Sequence, residues 1–179
     1  MDIAAAFLER SRHYLGFEYP TKIRRCLDVL TADAVWRRTD AESNSVGNLL
    51  LHLAGNARQW IVSGVGGAHD ARNRGAEFSA REGDDADSLF ASLRTTLDEV
   101  DAVLSTLTHE RLGQHLVIQG RTVSVFDAIY HVVEHFSLHT GQIILLTKVH
   151  ASGRIHFYED AGGLAIPRWR DDATAPPRP

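Results

Sequence analysis

The stretch YHVVEHFSLHTGQI, residues 130–143, places His131, His135 and His139 four residues apart. Positions i and i+4 lie above one another on a helix face, so an adjacent pair of imidazoles converges on one ion without bending the backbone. At a rise of 1.5 Å per residue, His131 and His139 stand about 12 Å apart along the axis, too far for all three to share an ion. Spacing leaves open whether the pair is His131 with His135 or His135 with His139. His135 belongs to both, and a third ligand has to come from another element.

Working outward, Ser124 precedes Val125, Phe126 and Asp127. The serine caps the helix that carries the histidines, and the acidic residue three places on suits its positive N-terminus. This helix is expected to reach about Val149. Just before it, LGQHLVIQGRTV (112–123) alternates apolar and polar residues on either side of Gln119-Gly120, the pattern of a small hairpin. A further helix is expected from near Asp85 to about Thr106, with Leu89, Phe90, Leu93, Leu97, Val100 and Leu104 on one face.

Another helix follows the capping residues Ser43, Asn44 and Ser45, where Val46, Leu49, Leu50, Leu53 and Trp60 recur at helical spacings. Between these two helices, SGVGGAHDARNRGAEFSAREG (63–83) is rich in Gly and charge and long for a simple hairpin, long enough to cross a whole bundle. The first helix is expected over 2 to about 31, on the stripe Phe7, Leu8, Leu15, Ile23, Leu27 and Leu30, with a kink or short break around Glu18 to Pro20 because proline lacks the N–H and clashes with the preceding turn. Residues 32–43 read as a connection in which Trp36 plugs one end of the bundle. The whole is an all-α four-helix bundle in one domain, residues 1–165, with 166–179, ending DDATAPPRP, as a flexible tail.

His52 is the candidate third ligand. It lies in LLLHLAGN on a strongly apolar helix, where an imidazole without a partner costs about 1 to 3 kcal/mol. A lone buried histidine is more often a hydrogen-bonded core residue than a ligand. Three histidines in one register, with a fourth on another amphipathic helix, shift that balance, because bundle cores host metal sites between facing helices. His13, His69, His109, His115, His150 and His156 show no such arrangement.

Composition narrows the function further. The 179 residues carry a formal net charge of -4 with both signs mixed along the chain, which gives no footprint for nucleic acid or an anionic membrane. No apolar run approaches the roughly 20 residues of a membrane span. Cys26 is the single cysteine, so no intrachain disulfide forms, and the start MDIAAAFLERSRHYLG lacks the features of a signal peptide. A cytoplasmic protein acting on a small-molecule substrate is expected.

The segments SNSVGNLLLHLAGNARQW (43–60) and HVVEHFSLHTGQI (131–143), with KIRRCLDVL (22–30) and the HFY at 156–158, resemble the DinB superfamily, in particular a branch known as a domain of unknown function. The resemblance covers most of the chain. It implies an up-down-down-up bundle, with the 63–83 segment crossing between parallel second and third helices, and a homodimer as a common state. It implies metal ligands at one histidine of the second helix and a pair four apart in the last, the second falling just before a Gly-Gln. Carried over, these are His52, His135 and His139, the last preceding Thr140, Gly141 and Gln142. His131 falls outside the triad, as an imidazole supporting the ligands or a catalytic proton carrier one turn above the metal.

Three imidazoles leave at least one coordination position open, the mark of a catalytic ion, and imidazole donors make zinc or nickel the expected metals. Superfamily relatives such as the bacillithiol transferases and the mycothiol-dependent maleylpyruvate isomerase use such an ion to activate a low-molecular-weight thiol. The implied activity is a metal-dependent thiol transferase or a related hydrolase using a metal-bound water. The other reading is a non-catalytic, stress-related protein that binds metal or a small ligand. Asn48 and Asn56, four residues either side of His52, and Gln142 are candidates to orient ligand imidazoles, with capping or interhelical bonding the commoner role for each. Glu134 points about 100 degrees away from His135 and reads as a surface charge or orienting partner. Cys26 is too isolated to nominate as a nucleophile.

Overall fold

In a computed structural model that describes residues 2–169, the chain is mostly helical, with two small antiparallel sheets. Helix α1 (Ile3–His13) is capped by Asp2, whose side chain accepts from the Ala4 and Ala5 amides. Around Glu18 to Pro20, where a kink or short break was expected, the helix is distorted but continuous. Residues Tyr14–Glu18 widen into a π-helical turn, and α2 (Tyr19–Leu27) continues directly from it. In a regular α-helix the Pro20 ring would strike the carbonyl four residues back, that of Gly16. The wide turn absorbs this, with the Tyr19 amide reaching back to the Tyr14 carbonyl. The Gly16 carbonyl accepts instead from Arg94 Nη1 at 2.7 Å, so no polar group is stranded.

A short helix α3 (Ala32–Trp36) follows, and its Trp36 wedges against two glycines. A Cβ added at Gly47 or at Gly83 would lie 2.8 Å from the indole ring, and Trp36 Nε1 donates to the Asp84 carbonyl at 3.0 Å. Helix α4 (Val46–Ala57) starts at a reciprocal cap between Ser45 and Asn48 and passes into a second π-helical stretch, Arg58–Val65. Then comes the long crossing segment, which contains the helical turns of α5 (Arg74–Ser79) and lies against α4.

Asn48 Nδ2 holds that segment by donating to the carbonyls of Glu77 and Ala80 at 2.8 and 2.9 Å, while Arg38 donates to the carbonyl of Phe78 at 2.6 Å. Helix α6 (Ala86–Ser105), capped by Asp85, packs on α4 and on α1 and α2. A short α7 (His109–Leu112) leads into the expected hairpin, β1 (His115–Ile118) and β2 (Arg121–Ser124). Gln119 and Gly120 form its turn with φ of 53° and 74°, the pair of positive values that a two-residue type I′ turn requires.

Helix α8 (Val125–His150), with Ser124 and Asp127 forming a capping box, runs against α2 and α4. Leu49, Leu53, Leu93, Leu97, Ile129, Val132, Phe136 and Ile143 are buried almost completely where these helices meet. A second hairpin that periodicity had not suggested follows, β3 (Tyr158–Ala161) and β4 (Leu164–Pro167), turning at Gly162-Gly163. Strand β4 runs across residue 165, after which a flexible tail was expected. Trp169 is buried beside Tyr158 and Phe157 with Lys22 over its ring, an apolar anchor that the polar composition of the chain end hides. The remainder of the expected tail, 170–179, lies outside the described residues. Among the described residues no helix is long and apolar enough to cross a membrane.

Candidate metal centre

Helices α4 and α8 pack face to face, and at their contact His52 meets His135 and His139. The periodicity of α8 puts His135 and His139 one turn apart on one face, with ring centroids at 4.3 Å, and α4 brings His52 to 4.9 and 5.0 Å from them. One nitrogen from each of the three lies within 4.8 Å of the others. His52 and His135 approach through Nε2 at 2.9 Å. Ligands at the usual zinc–nitrogen distance sit about 3.3 Å apart in a tetrahedron, so these nitrogens could hold an ion after small side-chain adjustments.

The electrostatics suit a cation. Burial, reinforced by neighbouring His139, His52 and His131, pushes His135 down to about 3. Burial also lowers His139, against the opposing effect of its hydrogen bond to Gln142, and it lowers His131. At neutral pH these imidazoles carry no proton on one nitrogen each, which is the state a metal needs.

The outward nitrogens are partnered as metal-bound histidines usually are. His139 Nδ1 lies 2.7 Å from Gln142 Oε1, an acceptor only, so the imidazole proton sits on Nδ1 and Nε2 is left bare. His52 Nδ1 lies 2.8 Å from Glu77 Oε2. Behind Glu77 stands Arg72, donating from Nε to Oε1 at 2.7 Å and from Nη2 to Oε2 at 2.8 Å. Burial works to raise the Glu77 carboxyl, but hydrogen bonds from Arg72 and His52 outweigh it and hold the group below the usual carboxylate range. The donor set, the neutral state of His135 and His139, and the outer partners all fit a transition metal.

Of the residues singled out from sequence, Gln142 is found at His139. Asn48 is engaged in the α4 cap and in tethering the crossing segment, the structural role. Asn56 turns to His131, its Nδ2 donating to Nε2 at 3.3 Å, which leaves the His131 proton on Nδ1. His131 lies one turn from His135, ring centroids 5.3 Å apart, and packs on Trp60 at 4.2 Å. Glu134 is exposed. Cys26 is buried, and burial pushes its thiol up to about 11, so it is no nucleophile at neutral pH.

Arg72 and Glu77 were missed in the sequence. The only local signal was Gly55, one turn past His52 on the same face. A Cβ there would fall 2.1 Å from Glu77 Oε1, so the glycine opens the groove that the carboxylate occupies. A separate cavity of about 530 Å3, lined by Lys22, Lys148, His156, Tyr158 and Trp169, does not include His52, His131, His135 or His139.

The arrangement has relatives. A DinB-like protein from Bacillus subtilis, YjoA, superposes with a TM-score of 0.60 at 20% identity, over 83% of this chain and 96% of its own. A DinB-like protein from Bacillus cereus ATCC 10987 superposes with a TM-score of 0.58 at 21% identity, over 74% of this chain and 87% of its own. At such identities the likeness speaks for the fold. No functionally curated protein matches the chain. Residues 2–161 match a family described as "protein of unknown function (DUF1572)", and over that length, on a DinB-like helical fold, this chain belongs to the DUF1572 family.

Proposed function

We propose that the chain holds one divalent transition metal, zinc or nickel, on His52, His135 and His139, and uses it to transfer a low-molecular-weight thiol or to carry out a related hydrolysis. The observation that carries the reading is the convergence of three imidazoles from two facing helices, two of them held neutral by burial, within 4.8 Å of one another. The frame is read as a four-helix bundle running up-down-down-up. Its members are α1 with α2, α4 with its π-helical extension, α6, and α8, and the crossing segment joins parallel α4 and α6.

A bound ion would supply positive charge that favours the anionic form of a thiol or a water at neutral pH. The protein's own groups do the rest. Gln142 and Glu77 set the ring orientations of His139 and His52. His131, neutral and one turn from His135, holds a proton at Nδ1 and serves as the proton carrier of the site. Apolar burial of the facing helices keeps bulk water from the inner side of the triad.

The test is elemental analysis of protein purified without a histidine tag, before and after zinc or nickel is offered, for the wild type and His135→Ala. The wild type is expected to carry one metal per chain and the variant none. A wild type that takes up no metal overturns the reading. Given metal, turnover of small thiols with an electrophilic acceptor establishes the transferase, and failure across thiols and hydrolysable substrates assigns a binder without catalysis.

A further inference from the structure

The geometry points to Glu77, carried in by the crossing segment, as the positioning residue that fixes the proton of His52 on Nδ1 and turns its Nε2 lone pair toward His135 and His139. The inference rests on the metal reading above and concerns how the site is prepared before any ion arrives.

His52 Nδ1 has two neighbours, Glu77 Oε2 at 2.8 Å and Arg72 Nη2 at 3.1 Å. A proton on Nδ1 donates to the carboxylate. Without it, Nδ1 would present a lone pair to the carboxylate and accept only from Arg72. Arg72 gives its Nε hydrogen and one Nη2 hydrogen to the two oxygens of Glu77, and its Nη1 donates to Gln59 Oε1 at 2.9 Å; the second Nη2 hydrogen could reach a bare Nδ1 at 3.1 Å, but it would leave the closer 2.8 Å contact between Nδ1 and Oε2 without a proton. The first arrangement satisfies Nδ1, both carboxylate oxygens and Arg72, with His135 Nε2 donating to His52 Nε2 at 2.9 Å in the metal-free site, whereas the second sets Nδ1 and Oε2, two lone-pair-bearing atoms, against each other. The His52 and Glu77 side chains are only 5% and 9% exposed, so water is poorly placed to stand in for the carboxylate.

Two features are built for this contact. Gly55 leaves room for the carboxylate against α4, where a methyl group would fall 2.1 Å from Oε1. Asn48 pins the Glu77 carbonyl, so the backbone that carries the side chain is tied to the helix that carries His52. Glu77 lies behind the imidazole and is not among the three converging ligands. A carboxylate so placed fixes the tautomer and raises the basicity of the ligand nitrogen.

The experiment begins with metal-free protein, whose imidazole tautomers are read by long-range nitrogen–proton NMR correlations. Wild-type His52 is expected in the Nδ1–H form. In Glu77→Ala, Arg72 becomes the donor to Nδ1, and His52 is expected to switch to Nε2–H, aiming a proton at His135. Gly55→Ala, which improves the helix propensity of α4 while evicting the carboxylate, is expected to do the same. Glu77→Gln keeps an acceptor and should retain the wild-type tautomer. Zinc affinity, measured by competition with a chromophoric chelator, should fall about 10- to 100-fold in Glu77→Ala. Retention of Nδ1–H in both Glu77→Ala and Gly55→Ala overturns the inference, as does an unchanged zinc affinity in Glu77→Ala. A wild type that binds no zinc overturns the metal reading alone, and the tautomer then decides this one.

Discussion

His135 and His139 stand one turn apart on α8, where the helix itself sets their separation, whereas Arg72 and Glu77 reach His52 from a crossing segment whose path is fixed by contacts with α4. The first arrangement survives as long as the helix does. The second depends on Asn48, Arg38 and Gly55, residues distant in sequence from those they position. The cluster therefore has a rigid histidine pair on one side and, on the other, a histidine whose orientation is set by long-range packing. Perturbing the α8 side should remove binding outright, while perturbing the crossing segment should cost stability and ligand order together.

The largest expected effect is on the rigid side. His135→Ala removes the ligand nearest His52, and metal content measured by elemental analysis should drop from one per chain to none. If His135→Ala still binds stoichiometric metal, α8 is not the dominant side and the contrast collapses.

Next comes the buried ion pair of the crossing segment. The Arg72 and Glu77 side chains are 4% and 9% exposed, so Arg72→Ala strands a carboxylate away from water. Stability in urea denaturation should fall by about 3 to 5 kcal/mol. The double variant Arg72→Met with Glu77→Leu should recover much of that loss, since it leaves no lone charge, yet it should still bind zinc more weakly than the wild type. Recovery of both stability and affinity would mean that the pair serves packing alone.

Acid should discriminate more gently. His135 is held at about 3 by burial, below the ordinary value of 6.5 it regains on unfolding. Between these values the unfolded chain binds the extra proton and the native one does not. Stability of the metal-free protein should therefore decline as pH falls from about 6.5 toward about 3. Glu77, held below its ordinary 4.5, adds to the loss as pH falls through the carboxylate range. Urea midpoints of the metal-free protein from pH 7.5 to 5 check the first part, where His135→Ala should show a flatter dependence than the wild type.

Gln142→Ala should be mildest. His139 loses the acceptor at Nδ1 but stays on its helix, half-buried, beside His135. Zinc affinity should weaken by about 10-fold, the low end for loss of an outer partner, with little change in urea midpoint. A loss as large as that of Glu77→Ala would show that the α8 ligands also depend on their outer contacts.

The extents of α4, α6 and α8, the Gln119-Gly120 hairpin and the spacing of His131, His135 and His139 were legible in the sequence, because each rests on contacts a few residues apart: capping, helical periodicity and turn chemistry. Pro20 was read as the cause of a kink or short break, and the form the disturbance takes, a wide turn without a break, was not legible because that turn depends on Arg94 of α6 donating to the Gly16 carbonyl. The anchoring of Trp169 and the approach of Glu77 were hidden for the same reason. Both join residues far apart in the chain, and no local pattern encodes which distant group meets them. By itself the sequence determined that α8 offers imidazoles at helical steps and made His52 the candidate to face them; that His52 meets His135 and His139, and which carboxylate stands behind it, only tertiary packing decided.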